Sequence, residues 1–257
     1  MASCRMETRL MERTMSLDAA AIDALWLSFQ IACVAVLWSL PLAFTLALAL
    51  TNPRWPVLGK ILLDIIVHLP LILPPVVIGY GLLITLGQQA PLGAWLKDSF
   101  GIQFVFSWTG AALAAGLISL PFQVRAIRLS IEAIDPHLYA AAASLGASPW
   151  QRMWRITLPL AVPGLVGGAM TAFAAALGEF GAIITFVANI PGETRTIPLA
   201  IYTAIQTPGG EALAGQLALL SVGLAVVVLV AADLMTRWLQ RRMGRVVASL
   251  ERTPKRP

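Results

Sequence analysis

Long apolar stretches separated by short polar ones pattern the chain, with none of the strict alternation that half-buried strands produce. Five stretches are long enough to cross about 30 Å of hydrocarbon as helices. They cover residues 25–50, 61–86, 108–127, 160–187 and 213–238. The first 16 residues, MASCRMETRLMERTMS, carry three arginines and two glutamates and lack the apolar core of a signal peptide. Residues 1–24 therefore read as a polar N-terminal tail leading into the first span, 25–238 as a transmembrane domain, and 239–257 as a basic C-terminal tail. The expected fold class is an all-α integral membrane protein with five transmembrane helices.

Composition strengthens that reading. The 257 residues are 58% apolar and 12% charged, against about 25% charged in soluble domains, and the mean hydropathy is +0.79. A soluble protein would have to bury all five runs at once.

Charge then sets an orientation. Arg54 and Lys60 follow the first span; Arg125, Arg128, Arg152 and Arg155 lie between the third and fourth; Arg237, Arg241, Arg242, Arg245, Arg252, Lys255 and Arg256 follow the fifth. These face one side, and only Lys97, Arg195 and the tail arginines Arg5, Arg9 and Arg13 face the other. By the positive-inside rule the N-terminus is outside and the C-terminus cytoplasmic. The net charge of +5 then reports topology rather than nucleic-acid binding. Trp26, Trp55, Trp95, Trp108 and Trp238 fall near span ends, where an aromatic belt would place them.

Candidate chemistry is sparse. Cys4 and Cys33 form no disulfide framework or metal-ligand spacing, and His68 and His137 lie too differently to hold a haem between helices. Asp64 and His68, four residues apart on the second span, suit an internal polar contact.

The polar segment IDPHLYAAAASLGASPWQRMWRITLP, within a cytoplasmic loop at about 128–159, is the most structured interruption. Asp135 and Pro136 give an N-cap and a first-turn proline, and Gly146 suits the left-handed residue past a helix end. Ser148 and Gln151 form a capping box for a second short helix, which Pro159 is expected to close before the fourth span. On composition this pair is equally a docking knob for a separate protein or an amphipathic loop on the membrane surface.

Within it, Ala141, Ala142, three residues, Gly146, nine residues, Ile156, one residue, Leu158 and Pro159 resemble the coupling motif of the membrane subunits of ABC importers. Ala140 stands where that family usually has glutamate. A second stretch, ALGEFGAIITFVANIPGETRTIPLAIYTAIQTPGGE, closely resembles bacterial molybdate permeases, with support from HLPLILPPVVIGYGLL and VRAIRLSIEAIDPHL. Sulfate permeases share the glycine-glutamate-phenylalanine-glycine element. The resemblance implies a type I importer permease that docks a cytoplasmic ABC ATPase, receives its anion from an external oxyanion-binding protein, and pairs with a second copy of itself. ATP would be bound by the partner, since this chain has no G-x4-G-K-[ST] loop. It implies no catalytic residue and no cofactor on this chain. Residues 189–210 would contribute to the outer docking surface.

Physics singles out part of the same region. An ionisable residue inside a span costs about 2.5 to 3.5 kcal/mol on insertion scales and faces protein or water. Glu179 is therefore either a gate-lining residue, with Gly178, Phe180 and Gly181, or a structural carboxylate satisfied by backbone or side-chain donors of a neighbouring helix. Pro70, Pro74, Pro75, Gly79 and Gly81 interrupt the second span, as a pore wall or as kinked packing. Gly164 and Gly168 form a step for close helix approach. A secondary transporter would show inverted repeats and ion-binding carboxylates, and a membrane enzyme a nucleophile or metal constellation. The sequence offers no such repeats or constellation, and no such carboxylates beyond Asp64 and Glu179. Molybdate, tungstate and sulfate are all tetrahedral dianions, which these residues alone do not separate.

Overall fold

A computed structural model describes the backbone of residues 2–251 and the side chains of residues 21–232, Leu234 and Met235. The basic side chains from Arg237 onward, the tail arginines and Cys4 lie outside the described side chains. The regular elements of the described backbone are all helices, in the order α1 (Ala2–Thr51), α2 (Val57–Ile72), α3 (Pro75–Leu86), α4 (Pro91–Phe100), α5 (Trp108–Glu132), α6 (Pro136–Ser144), α7 (Pro149–Arg152), α8 (Leu158–Leu177), α9 (Gly181–Val187), α10 (Ile197–Gln206) and α11 (Glu211–Glu251). A π-helical turn, Met153–Thr157, joins α7 to α8. Among the described residues four helices are long and apolar enough to span a membrane, or five if α2 and α3 count as one broken span. α4 and α10 form where the sequence reads as connecting segments.

Local backbone chemistry decides how the spans run. The stretch 61–86 is broken where its prolines interrupt it, α2 and α3 meeting at 111°. Pro74 and Pro75 remove two successive N–H donors, and Leu73, which precedes them, is forced into an extended conformation (ψ 141°). Pro70, by contrast, is carried inside α2. The stretch 160–187 also breaks: α8 stops at Leu177, and α9 restarts at Gly181. Pro159, finally, closes nothing. The chain is helical from Pro149 to Leu177, because the π turn loosens the ladder, with Leu158 N–H bonding back to the carbonyl of Met153. That widening relieves the clash a proline ring makes with the preceding turn. α1, for its part, carries helical backbone from Ala2, so the polar N-terminal segment continues the first span's helix.

α5 is the central element and packs most extensively on α1 and α8. One apolar cluster joins Ile31, Ala32 and Ala35 to Ala111, Ala112, Ala114 and Ala115, with Ile183 and Phe186 of α9. Another joins Ala43, Ala47 and Leu50 to Leu120, Val124, Ile127 and Ala161. The alanines bring backbones close enough that Trp38 donates from Nε1 to the Ala112 carbonyl at 3.2 Å. Ser39 and Gln123 are both fully buried. Gln123 Nε2 donates to Ser39 Oγ at 3.0 Å, and that hydroxyl donates to the Ala35 carbonyl at 2.7 Å. In hydrocarbon such interhelical bonds fix register as well as contributing about 0.6 kcal/mol each.

α8 meets α5 through Gly164 and Gly168, as the glycine step predicts. A Cβ at Gly164 would press on Ser130 Oγ and lie 2.6 Å from the Ala126 carbonyl oxygen. At Gly167 nothing lies within 4 Å of the same position. Gly164→Ala is therefore expected to lower stability by about 1–3 kcal/mol, and Gly167→Ala to be near neutral. Thermal unfolding of the detergent-solubilised variants checks the pair, and equal melting would contradict the close α5–α8 approach.

Candidate functional site

The cytoplasmic helix pair forms as its local code specifies. Asp135 accepts the His137 N–H at 2.8 Å, and Gly146 takes the left-handed conformation at φ 81°. The capping box closes in both directions, with Ser148 N–H to Gln151 Oε1 at 2.9 Å and Gln151 N–H to Ser148 Oγ at 3.2 Å. Tyr139 on α6 meets Thr157 through their hydroxyls at 3.0 Å, which braces the first helix against the π turn. No residue of α6 or α7 is buried. Leu145 is 88% exposed and Trp150 69% exposed, and Trp150 stacks edge-on to Trp154 at 5.5 Å. Ala141, Gly146 and Pro159 are exposed, and Ala142, Ile156 and Leu158 half-buried. The pair is thus a rigid projection with an uncovered apolar face.

A second constellation lies where the two broken spans meet. α3 packs on α9. A Cβ at Gly181 would lie 2.9 Å from Pro75 Cβ, and one at Gly79 would lie 2.6 Å from the Ala182 carbonyl oxygen. Glycine at both positions is what lets the helices cross this closely. Between them Glu179 is 93% buried by its 7% exposure, and its Oε1 accepts the Ala182 N–H at 2.8 Å. The carboxylate also faces the N–H groups of Phe180 and Gly181. It therefore caps α9, satisfying donors that a helix start leaves orphaned. Those donors belong to the next helix in the chain rather than to a distant one. Phe180 packs on Tyr202 of α10 with ring centroids 5.1 Å apart. The structure thus brings Pro75, Glu179, Phe180 and Gly181 together, while Gly178 ends α8 and lines an apolar cavity of about 690 Å³ between α8, α10 and α11.

Some partners leave no local trace in the sequence. His68 bonds the Asp64 carbonyl at 2.9 Å, as its spacing suggests, but the Asp64 carboxylate takes Arg128 Nη1 at 3.0 Å from 64 residues away. Arg128 also donates Nε to Glu132 at 2.7 Å. This half-exposed trio ties α2 to the end of α5 above the helix pair. After α9, Asn189 and Arg195 form a hydrogen-bonded cluster with Thr203 of α10, and Thr194 bonds the loop backbone beside them. Its polar residues within an otherwise apolar stretch are the signal that could have singled it out.

Among the described residues, four or five apolar spans, two of them interrupted, with a helix pair between two of them, make this a multi-pass membrane architecture. A family model described as the binding-protein-dependent transport system inner membrane component matches residues 33–245, and the chain belongs to that family. It is 51% identical over 223 residues to the molybdenum transport system permease protein ModB of Escherichia coli (strain K12), covering 87% of this chain and 96% of that protein. The Haemophilus influenzae ModB is 47% identical over the same shares. The sulfate transport system permease protein CysT of E. coli (strain K12) is 36% identical over 205 residues, 79% of this chain and 70% of that one. In fold the chain is like one from a bacterial alginate ABC transporter in complex with an alginate pentasaccharide-bound periplasmic protein. The TM-score there is 0.68 at 22% identity, over 85% of this chain and 78% of the other. It is equally like one from the inward-facing MetNI methionine ABC transporter, at TM-score 0.68 and 17% identity, over 89% and 98%. The fold is that of ABC importer permeases.

Removing the Glu179 cap strands a buried N–H. Glu179→Ala is expected to cost about 1–3 kcal/mol, and Glu179→Gln less, because the amide oxygen still accepts from Ala182. Melting of the two purified variants tests this order, and a glutamine variant no better than alanine would show that the capping bond is not what the carboxylate supplies.

Proposed function

We propose that this chain is the membrane subunit of an ATP-driven molybdate importer, working by alternating access with a separate cytoplasmic ATPase, an external oxyanion-binding protein and a second copy of itself. The observation that carries the reading is the rigid, uncovered helix pair around Gly146, which has the form of a surface built to be held by another protein. Here Leu145 and Trp150 stand exposed on a compact, doubly capped knob.

Continuity makes the knob a lever. Because Pro149 to Leu177 is one helical run, a displacement of the pair is delivered along α8 to the break at Gly178 and Glu179, about 40 Å away at 1.5 Å per residue. There the two interrupted spans pack on each other, and a backbone already free of the helical ladder rearranges at low cost. Glu179 caps α9 and keeps that break in register. A fixed carboxylate would repel a dianion, so its part is structural or gating rather than substrate binding. The basic loops support a topology with the helix pair and the C-terminus in the cytoplasm and the N-terminus outside. Molybdate rather than sulfate is favoured by the higher identity to the two ModB proteins than to CysT.

The test is ATP-dependent uptake of labelled molybdate into proteoliposomes holding this chain, with the ATPase and binding protein supplied, and with sulfate as competitor. Uptake is expected to need both partners and to resist excess sulfate. Gly146→Arg, which forces an L-residue into a left-handed conformation at a cost of about 1–2 kcal/mol and sets a bulky cation on the knob, is expected to abolish it. Uptake that persists without the ATPase would overturn the reading, and strong competition by sulfate would change the substrate.

A further inference from the structure

The loop between α9 and α10 holds a cation that no described carboxylate neutralises. Its backbone is tightly wound, the Ile190 carbonyl accepting the N–H groups of Glu193, Thr194 and Arg195 at 3.2, 2.9 and 3.1 Å. Thr194 is fully buried; its hydroxyl accepts the Ile190 N–H at 2.9 Å and donates to the Ala188 carbonyl at 3.0 Å. That clamp holds Ala188 at φ 64°, where a residue with a side chain is strained. The loop is rigid for a reason, and the group it positions is Arg195.

Arg195 is half-buried, with Thr194 and Thr196 buried on either side of it. Its Nε donates to Asn189 Oδ1 at 3.0 Å; Asn189 Nδ2 donates to Thr203 Oγ1 at 2.7 Å, and that hydroxyl to the Leu199 carbonyl at 2.8 Å. This relay anchors the guanidinium to α10 by one edge. Among the described residues the ion pairs are those of Asp64 with His68 and Arg128 and of Arg128 with Glu132, and none involves Arg195. The Nη donors are left without a described protein partner. The guanidinium fork matches two oxygens of a tetrahedral oxyanion in charge and geometry. A short helix leads from here to the break at Gly178–Gly181, and Tyr202, next to Thr203, packs on Phe180 of that break.

We propose that Arg195 is the anion-capture residue at the outer mouth of the pathway, taking two oxygens of the dianion through its Nη donors as the anion leaves the binding protein. This rests on the substrate and topology proposed above. A contact to a carboxylate of the docked protein is the other use for such a cation. The exposed loop tip, Pro191, Gly192 and Glu193, favours the small ligand: a large partner meets the tip, whereas Arg195 is sunk beside it.

The experiment uses the reconstituted chain with its ATPase and binding protein, and reads two quantities. Arg195→Gln is expected to reduce molybdate uptake at saturating binding protein by about tenfold, one charge-assisted contact's worth. The binding-protein concentration giving half-maximal ATPase stimulation is expected to stay within about twofold. Uptake equal to wild type would overturn the proposal. So would a loss that saturating binding protein restores, which would make Arg195 a docking residue. Should Arg195→Gln fail to assemble, Arg195→Cys in a chain lacking Cys4 and Cys33 gives the same comparison. A cationic aminoethyl thiol adduct is expected to restore uptake and an anionic sulfonatoethyl adduct not to, and equal rates would overturn the proposal. A wild-type protein that carries no oxyanion overturns the proposed function and this inference together, whereas normal wild-type transport with an indifferent Arg195 overturns this inference alone.

Discussion

A backbone that leaves its helix inside a bilayer has to find hydrogen-bond partners within the protein, since hydrocarbon offers none. Two spans of this chain do leave their helices, at Leu73–Pro74 and at Gly178–Phe180, and the rest of the fold is arranged around closing those breaks. They are packed against one another, through Gly79, Pro75, Gly181 and Ala182. Proline solves part of the problem by carrying no N–H. Glu179 solves another part by accepting from Ala182 at the start of α9. A carboxylate in this position is costly on its own, and as a cap it is compensated by donors that would be equally costly alone.

The remaining helices hold that arrangement rigid. α1, α5 and α8 approach closely because alanine and glycine line their contacts, and close approach lets backbone and side-chain polar groups bond directly across helices. Trp38 to the Ala112 carbonyl and Gln123 to Ser39 are the consequences. The same rigidity gives α8 its mechanical role, since a helix that ran loosely on its neighbours would absorb a push at the helix pair instead of carrying it to the break. The π turn at Met153–Thr157 keeps that rod unbroken past Pro159.

Local chemistry was the legible part. Asp135, Gly146, Ser148 and Gln151 act within four residues of their partners, so caps and turns follow from spacing alone, and the structure has each of them. The apolar runs were legible for the same reason, because spanning needs only length and composition. Pro159 misled because a proline ends a helix only when the preceding turn cannot widen, and whether it can is decided by what packs around it. The breaks in the second and fourth spans were half legible. The prolines and glycines marked where bending was allowed, but a 111° turn and a complete stop at Leu177 depended on α3 and α9 having each other to pack on.

The sequence by itself determined that the chain crosses a membrane several times, which loops are basic, and that a capped helix pair lies between two spans. Each of these rests on residues close together in the chain or on the transfer energy of a single segment. Only the tertiary structure decided that Asp64 pairs with Arg128, that Gln123 bonds Ser39, and that Arg195 is tethered by Asn189 and lacks a described carboxylate partner. The physical reason is that a buried polar group is stabilised by whichever donor or acceptor the fold brings within about 3 Å. No spacing rule along one chain specifies which distant residue that will be.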